Sequence, residues 1–220
     1  MMDASTFVQE LVADNDSILR RLAPAESLKH ESGGDLNTRG LLRIALKNEI
    51  EATEIAALWV SSSRDVQLKI ALARQSGDEA KHYRLIEQRL SELGDDLAGF
   101  NPLAAGYSPL YKFLSTLETD VERVAAGQFT REAIALTKNL QFIELCEHAG
   151  DKATARLYRD VIQPDEQFHH ELGVKFLTEL ATDENSQRLA RAARARTIEL
   201  AEELQTLAYQ RGGIHHAPGC

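Results

Sequence analysis

The sequence predicts an all-α protein: an antiparallel four-helix bundle with an extra N-terminal helix and a long C-terminal helix. Three observations predict it. Ala, Leu, Glu and Arg dominate while aromatics are only 6%, a mixture that suits helices better than strands. Helix breakers are sparse, five prolines and thirteen glycines in 220 residues. Apolar residues recur at helical spacing in long segments, and the short turns between some of them make antiparallel neighbours.

Residues 5–22 carry Phe7, Val8, Leu11, Val12, Ile18, Leu19 and Leu22, a helical period, before Pro24 interrupts and residues 30–37 read as a loop. The first bundle helix is expected from residue 37 or 38 to Val60. Ser61 to Asp65 form a short turn with Asp65 a candidate N-cap, and the second helix runs to Leu93, where Gly94 stops it. Residues 94–108, rich in Gly, Asp, Pro and Asn, read as a crossover. A third helix is expected from Pro109 to Ala149 with a weak point at Gly127, then a tight turn at Gly150 and Asp151, and a fourth helix to Ala181. Pro164 lies inside that fourth helix, where it removes a backbone hydrogen bond; it either bulges the helix or breaks it at Gln163. A last amphipathic helix spans 185–210, followed by a flexible tail over 212–220. The expectation is one domain over 1–220 with its core at 38–181.

The formal charge is −9, from 25 Lys and Arg against 34 Asp and Glu. A phosphate-binding surface shows the opposite balance, so nucleic acid is not expected as a partner. Cys146 and Cys220 are the two cysteines, too few for a disulfide framework, with no Cys-x-x-Cys pair. No apolar run approaches the ~18 residues of a membrane span. The opening residues show neither the basic segment nor the apolar block of a signal peptide. A cytoplasmic protein with no membrane partner is the expectation.

The chemistry is carried by two strings. The second helix contains Asp78-Glu79-Ala80-Lys81-His82 and the fourth Asp165-Glu166-Gln167-Phe168-His169. Residues three apart share a helix face, so each Glu and its His address one spot, a natural half-site for a transition metal. One Glu-x-x-His match is expected about once by chance in a chain of this composition, whereas the longer string is expected only about 0.04 times. Two copies are therefore informative.

Depth along the helices supplies further carboxylates. Glu79 lies 15 residues beyond a turn centred on residue 64, about 22 Å at about 1.5 Å per residue. The same distance back along the first helix reaches Glu49, on a stripe with Leu42, Ala45, Leu46, Ala52, Thr53, Ala56 and Val60. A lone carboxylate there is costly unless its charge is satisfied. Glu51 and Glu54, near Lys47 and Arg43, read as a solvated face. From the turn near Gly150, the matching count back from Glu166 reaches residues 132–134, and Glu132 shares a face with Ala125, Phe129, Ala135, Leu136, Leu140 and Ile143. Four Glu and two His would then converge in the bundle core.

Paired Asp-Glu-x-x-His strings on the second and fourth helices, each with a Glu on the preceding helix, resemble the ferritin-like di-iron carboxylate superfamily. Glu79 follows Glu49 by 30 residues and Glu166 follows Glu132 by 34, spacings similar to those of the di-iron oxygenases and the ribonucleotide reductase small subunit. The resemblance covers residues 38–181. It implies a ferritin-like bundle holding two iron ions, or Mn/Fe or Mn/Mn in their place. Glu79 and Glu166 would bridge, Glu49 and Glu132 would be terminal carboxylates, and His82 and His169 terminal nitrogen ligands. Asp78 and Asp165 would accept from the far N–H of a ligand histidine. The implied activity is oxidation or hydroxylation of a small organic substrate with dioxygen or peroxide, electrons coming from a separate reductase, in a homodimer. A ferroxidase or other iron-handling protein uses the same core, and a metal-free helical module is the non-enzymatic alternative.

Other candidates have plainer readings. His170 points about 100° away from His169 and reads as a supporting or surface residue. Glu144 and His148 read as an exposed pair and His215-His216 as part of a disordered end. Tyr83, Tyr107, Tyr111 and Tyr158 read as packing residues. Arg188, Arg191, Arg194 and Arg196 read as a solvated or interface face.

Overall fold

The computed structural model describes residues 2–22 and 38–212, with side chains over 2–19 and 38–203. Pro24, residues 30–37, expected as a loop, and residues 213–220, with His215, His216 and Cys220, expected as a tail, lie outside the described residues. The described residues form seven helices and no strand: α1 (Ala4–Leu22), α2 (Thr38–Ser62), α3 (Val66–Glu92), α4 (Pro109–Leu114), α5 (120–148), α6 (152–180) and α7 (Glu184–Gly212). The bundle is α2, α3, α5 and α6; α1 and α7 pack against its second half. No helix among the described residues is long and apolar enough to cross a membrane.

The caps that start these helices are in the sequence. The Asp65 carboxylate accepts from the Leu68 N–H to begin α3, an arrangement worth about 1 kcal/mol. Ser108 caps α4 ahead of Pro109, and Asp151 caps the start of α6.

The third bundle helix differs from the sequence expectation. It is not continuous from Pro109: α4 ends at Leu114, and α5 starts afresh behind Thr119. The Thr119 hydroxyl accepts from the Glu122 N–H while the Glu122 carboxylate accepts from the Thr119 N–H, a capping box that fixes a helix start. At Gly127, expected as a weak point, the helix does depart from the regular α form. The residue lies in a π-helical stretch, Ala125–Arg131, between Asp120–Val124 and Glu132–His148. A Cβ there would stand 2.7 Å from the Trp59 ring, so the glycine admits a close approach.

In α6 the helix does not break at Gln163. A second π-helical stretch, Tyr158–Ile162, separates Lys152–Leu157 from Gln163–Leu180, and Pro164 sits in the first turn after it. The Gln163 N–H bonds back to the Tyr158 carbonyl, five residues upstream. The bulge accommodates the proline without ending the helix.

Two apolar clusters make the core. One gathers Phe7, Trp59, Leu68, Leu72, Phe129, Phe176 and Ala193; the other gathers Leu42, Leu46, Ile86, Leu90, Phe142, Cys146 and Tyr158. Along all four bundle helices the switch from one cluster to the other is interrupted by buried polar residues: Glu49; Gln75, Glu79 and His82; Gln128, Arg131 and Glu132; Glu166 and His169. The core is therefore a polar layer between two apolar plugs.

Candidate metal centre

The six side chains named from the sequence lie together in that layer. Glu49, Glu79, His82 and Glu166 offer one donor atom each, all within 4.8 Å of one another, and so do Glu79, Glu132, Glu166 and His169. Glu79 and Glu166 belong to both groups. All six are at most 3% exposed. Among the described residues, Glu132 Oε2, Glu166 Oε2 and His169 Nδ1 have no hydrogen-bond partner. Buried polar atoms are nearly always paired, and here three of them in one cluster are not.

The histidines are oriented across the bundle. His82 Nε2 lies 3.0 Å from Asp165 Oδ2, and His169 Nε2 lies 3.2 Å from Asp78 Oδ2. Each aspartate holds the histidine of the opposite helix, not that of its own string. A carboxylate only accepts, so Nε2 carries the hydrogen and Nδ1 turns inward. His82 Nδ1 is 3.3 Å from Glu79, 3.5 Å from Glu49 and 3.7 Å from Glu166. His169 Nδ1 is 3.4 Å from Glu166 and 3.7 Å from Glu79. Lys81, between Asp78 and His82 in sequence, pairs with both aspartates.

The electrostatics reflect excess negative charge in a dry place. Burial pushes the Glu49 carboxyl up to about 7, against the pull of His82. Glu166 is raised well above the ordinary carboxyl range by burial and by Glu79 and Glu132. Glu79 moves the other way: burial opposes its charge, but His82, His169 and Arg131 outweigh that and hold it ionised. Burial likewise opposes charge on His82, and hydrogen bonds to Glu49 and Glu79 overcome it, taking the imidazolium up to about 11.

Sequence reasoning missed three contributors. Gln75 Nε2 donates to Glu132 Oε1 at 2.8 Å and to Glu79 Oε1 at 3.4 Å. Gln128 Nε2 donates to Gln75 Oε1 at 2.7 Å. Arg131 Nη1 donates to Glu132 Oε1 at 2.8 Å and lies 3.9 Å from Glu79. Gln75 sits one turn before Glu79 on the same face, a signal that was present; Arg131 gave none, because its inward position depends on the π-helical stretch.

Three other expectations need correction. Glu51 is not solvated: it is buried and accepts from the Ser108 N–H and hydroxyl, tying the crossover to α2. Leu140 is exposed and leaves the stripe assigned to Glu132. Arg194 is buried, its Nε donating to Asn15 on α1 at 2.7 Å. Glu144 and His148 are exposed. His170 is half-buried with its ring tilted against Phe129. Tyr158 is fully buried, edge-on to Phe142.

A family model described as "Protein of unknown function (DUF455)" matches residues 12–206. The 3-demethoxyubiquinol 3-hydroxylase of Aromatoleum aromaticum is 34% identical over 113 residues, covering 46% of this chain and 55% of that protein. The protein of the same name from Dechloromonas aromatica is 32% identical over 106 residues, covering 43% and 51%. A probable dual-specificity RNA methyltransferase RlmN of Bifidobacterium longum is 29% identical over 98 residues, covering 44% of this chain and 21% of that protein. The chain spans about half the length of the hydroxylases it matches. No solved structure matches.

Proposed function

This chain belongs to the DUF455 family, and on that premise we propose that it is a hydroxylase-type oxidoreductase whose polar layer holds two transition-metal ions, iron first among them. The observation that carries the reading is the convergence of four buried glutamates and two buried histidines, three of whose atoms (Glu132 Oε2, Glu166 Oε2 and His169 Nδ1) have no hydrogen-bond partner. Four carboxylates with two imidazoles and one guanidinium are under-compensated as a buried charge group, and divalent ions restore the balance. The donor set of carboxylates and imidazoles suits iron or manganese.

Glu49 and His82 would serve one ion, Glu132 and His169 the other, with Glu79 and Glu166 shared between them. Bound there, an iron pair supplies the redox equivalents that reduce dioxygen or peroxide.

The chain's own residues set the conditions for that chemistry. Asp165 and Asp78 fix the Nε2 hydrogens, so Nδ1 is the atom each histidine has left to offer an ion. Gln75, held by Gln128, orients Glu132. The apolar clusters on either side keep bulk water from the layer. Hydroxylation of a small organic substrate consumes dioxygen, two electrons and two protons, places one oxygen in a C–H bond and releases the other as water. The electrons would come from a separate reductase. The relatives' printed name makes a quinol the first substrate class to assay, with a homodimer in the cytoplasm as the working assembly.

Anaerobic loading with Fe(II), gel filtration and elemental analysis test the reading. It expects two irons per chain, fewer in Glu79→Ala and His169→Ala, and a near-ultraviolet absorbance change on admitting air. A folded protein that retains no iron would refute it. A many-subunit shell in light scattering would favour iron storage over hydroxylation.

A further inference from the structure

The two halves of the centre carry matching motifs but are not equivalent. In one half, the terminal carboxylate Glu49 faces His82 Nδ1 at 3.5 Å, a position an ion would take over. In the other, Glu132 Oε1 is already engaged twice, by Arg131 Nη1 at 2.8 Å and by Gln75 Nε2 at 2.8 Å. The guanidinium also lies 3.9 Å from Glu79 Oε1, one of the shared carboxylates. Arg131 is only 6% exposed, so its charge is poorly screened by water. Of the two Glu132 oxygens, Oε2 alone is left without a hydrogen-bond partner.

We propose that Arg131 makes the two metal positions unequal: the Glu49–His82 position fills first and tightly, and the Glu132–His169 position fills second and weakly. The inference rests on the metal reading above. Two effects act in the same direction. An arriving cation must compete with a guanidinium for Glu132, or accept one oxygen where two were available. It is also repelled by a fixed positive charge that faces the second position. Among the described residues, the Glu49 side shows no cationic side chain in hydrogen-bond contact with its terminal carboxylate apart from the His82 ligand itself. Arg131 is therefore a positioning residue: it acts through Glu132 and sets the order of filling. At low free metal the chain holds one divalent ion, and the Glu132–His169 position is the exchangeable one.

Calorimetric titration of the full-length, metal-free chain with Fe(II) under anaerobic conditions tests this. The wild type is expected to bind in two steps separated at least tenfold in affinity. In Arg131→Gln the second step should tighten at least tenfold with the first moved less than threefold, and Arg131→Lys, which restores the charge, should restore the separation. Should Arg131→Gln fail to fold, the histidines give an independent reading: His169→Ala should keep the tight step alone and His82→Ala the weak step alone. Two equal steps in the wild type, an unchanged separation in Arg131→Gln, or equal affinities in the two histidine variants would overturn the inference and leave the metal centre standing. A wild type that binds no ion defeats the metal reading itself.

Discussion

Gly173 on α6 offers the sharpest test of how the bundle is held together. A Cβ at this position would lie 2.5 Å from the Gln128 carbonyl carbon, 2.6 Å from the Phe129 nitrogen and 2.7 Å from the Gln128 oxygen. Comfortable contacts between carbon atoms are about 3.5–4.0 Å, so α6 and the π-helical part of α5 must separate by roughly 1 Å to admit a methyl group. The obstacle is backbone, so no rotamer change relieves it. Overpacking of this kind costs about 1–3 kcal/mol, partly offset by the gain of about 0.8–1.0 kcal/mol for alanine over glycine in a helix.

Gly77 on α3 is the matched control, exposed and with nothing within 4 Å of an added Cβ. Gly77→Ala receives the helical gain without the clash. The two variants should therefore differ in stability by about 1–3 kcal/mol, Gly173→Ala being the weaker. That corresponds to about 2–4 °C in melting temperature per kcal/mol at this chain length. Urea unfolding of the metal-free protein followed by circular dichroism measures the gap. Equal stability of the two variants would show that α5 and α6 do not meet as described. The clash also moves the backbone that carries Gln128, and through Gln75 it reaches Glu132. Gly173→Ala should therefore lose iron more readily than Gly77→Ala.

The remaining predictions concern single groups. Asp165→Asn should weaken ion binding about 10–100-fold at the His82 position and Asp78→Asn by a similar factor at the His169 position, each measured by competition with a chromogenic chelator; no effect from either would mean that the crossed contacts do not orient the imidazoles. The Cys146 thiol is buried, and burial pushes its pKa up to about 12. In a Cys220→Ser background it should resist a thiol reagent at pH 8 and react once urea unfolds the chain, whereas rapid native labelling would contradict its placement. Burial works against the Asp151 charge, but hydrogen bonds from Thr154 and pairing with Arg89 prevail and hold its pKa below the ordinary 3.8. A depressed carboxyl stabilises the fold above its unfolded pKa and loses that contribution as pH falls through the folded value. Asp151→Asn should thus flatten the acid side of the stability profile below about pH 4, and an unchanged acid limb would remove Asp151 from that account.

The order and extent of α1, α2, α3, α6 and α7 were legible because their signals are local: apolar period, an Asp N-cap, a Gly stop. The choice of Glu49 over Glu51 and Glu54 followed from depth, since helical rise is uniform along α2 and α3, together with its place on an apolar stripe. The errors have equally specific causes. Glu51 was read as solvated because its partner Ser108 lies 57 residues away, at the end of the crossover, and no local pattern announces that contact. The break before α5 was signalled by Thr119 and Glu122, a capping pair overshadowed by the apolar period on either side. Gln128 is a neutral amide on a helix face, indistinguishable in sequence from a surface residue until its partner Gln75 is known. The crossing of Asp78 to His169 and Asp165 to His82 is a property of two helices, so neither string contains it.

The inequality proposed for the two metal positions would arise in the helix backbone, since the two strings share the same Asp-Glu-x-x-His pattern. Helices α2 and α3, which bring Glu49, Glu79 and His82, contain no π-helical stretch; α5 and α6, which bring Glu132, Glu166 and His169, contain one each, both just upstream of a glutamate. At the end of the stretch in α5 the Glu132 N–H reaches back five residues to the Gly127 carbonyl. The wider turn changes which side chains face inward: every residue from 123 to 135 is buried, including Gln128 and Arg131 beside Glu132. In a regular helix residue 131 stands about 100° from residue 132, and one of the two would be carried toward the rim of the bundle. The π-helical turn lets a glutamate and a guanidinium share the same buried layer. Among the described residues it thus places a guanidinium against Glu132, and the proposed asymmetry of the centre would follow from where the helix widens.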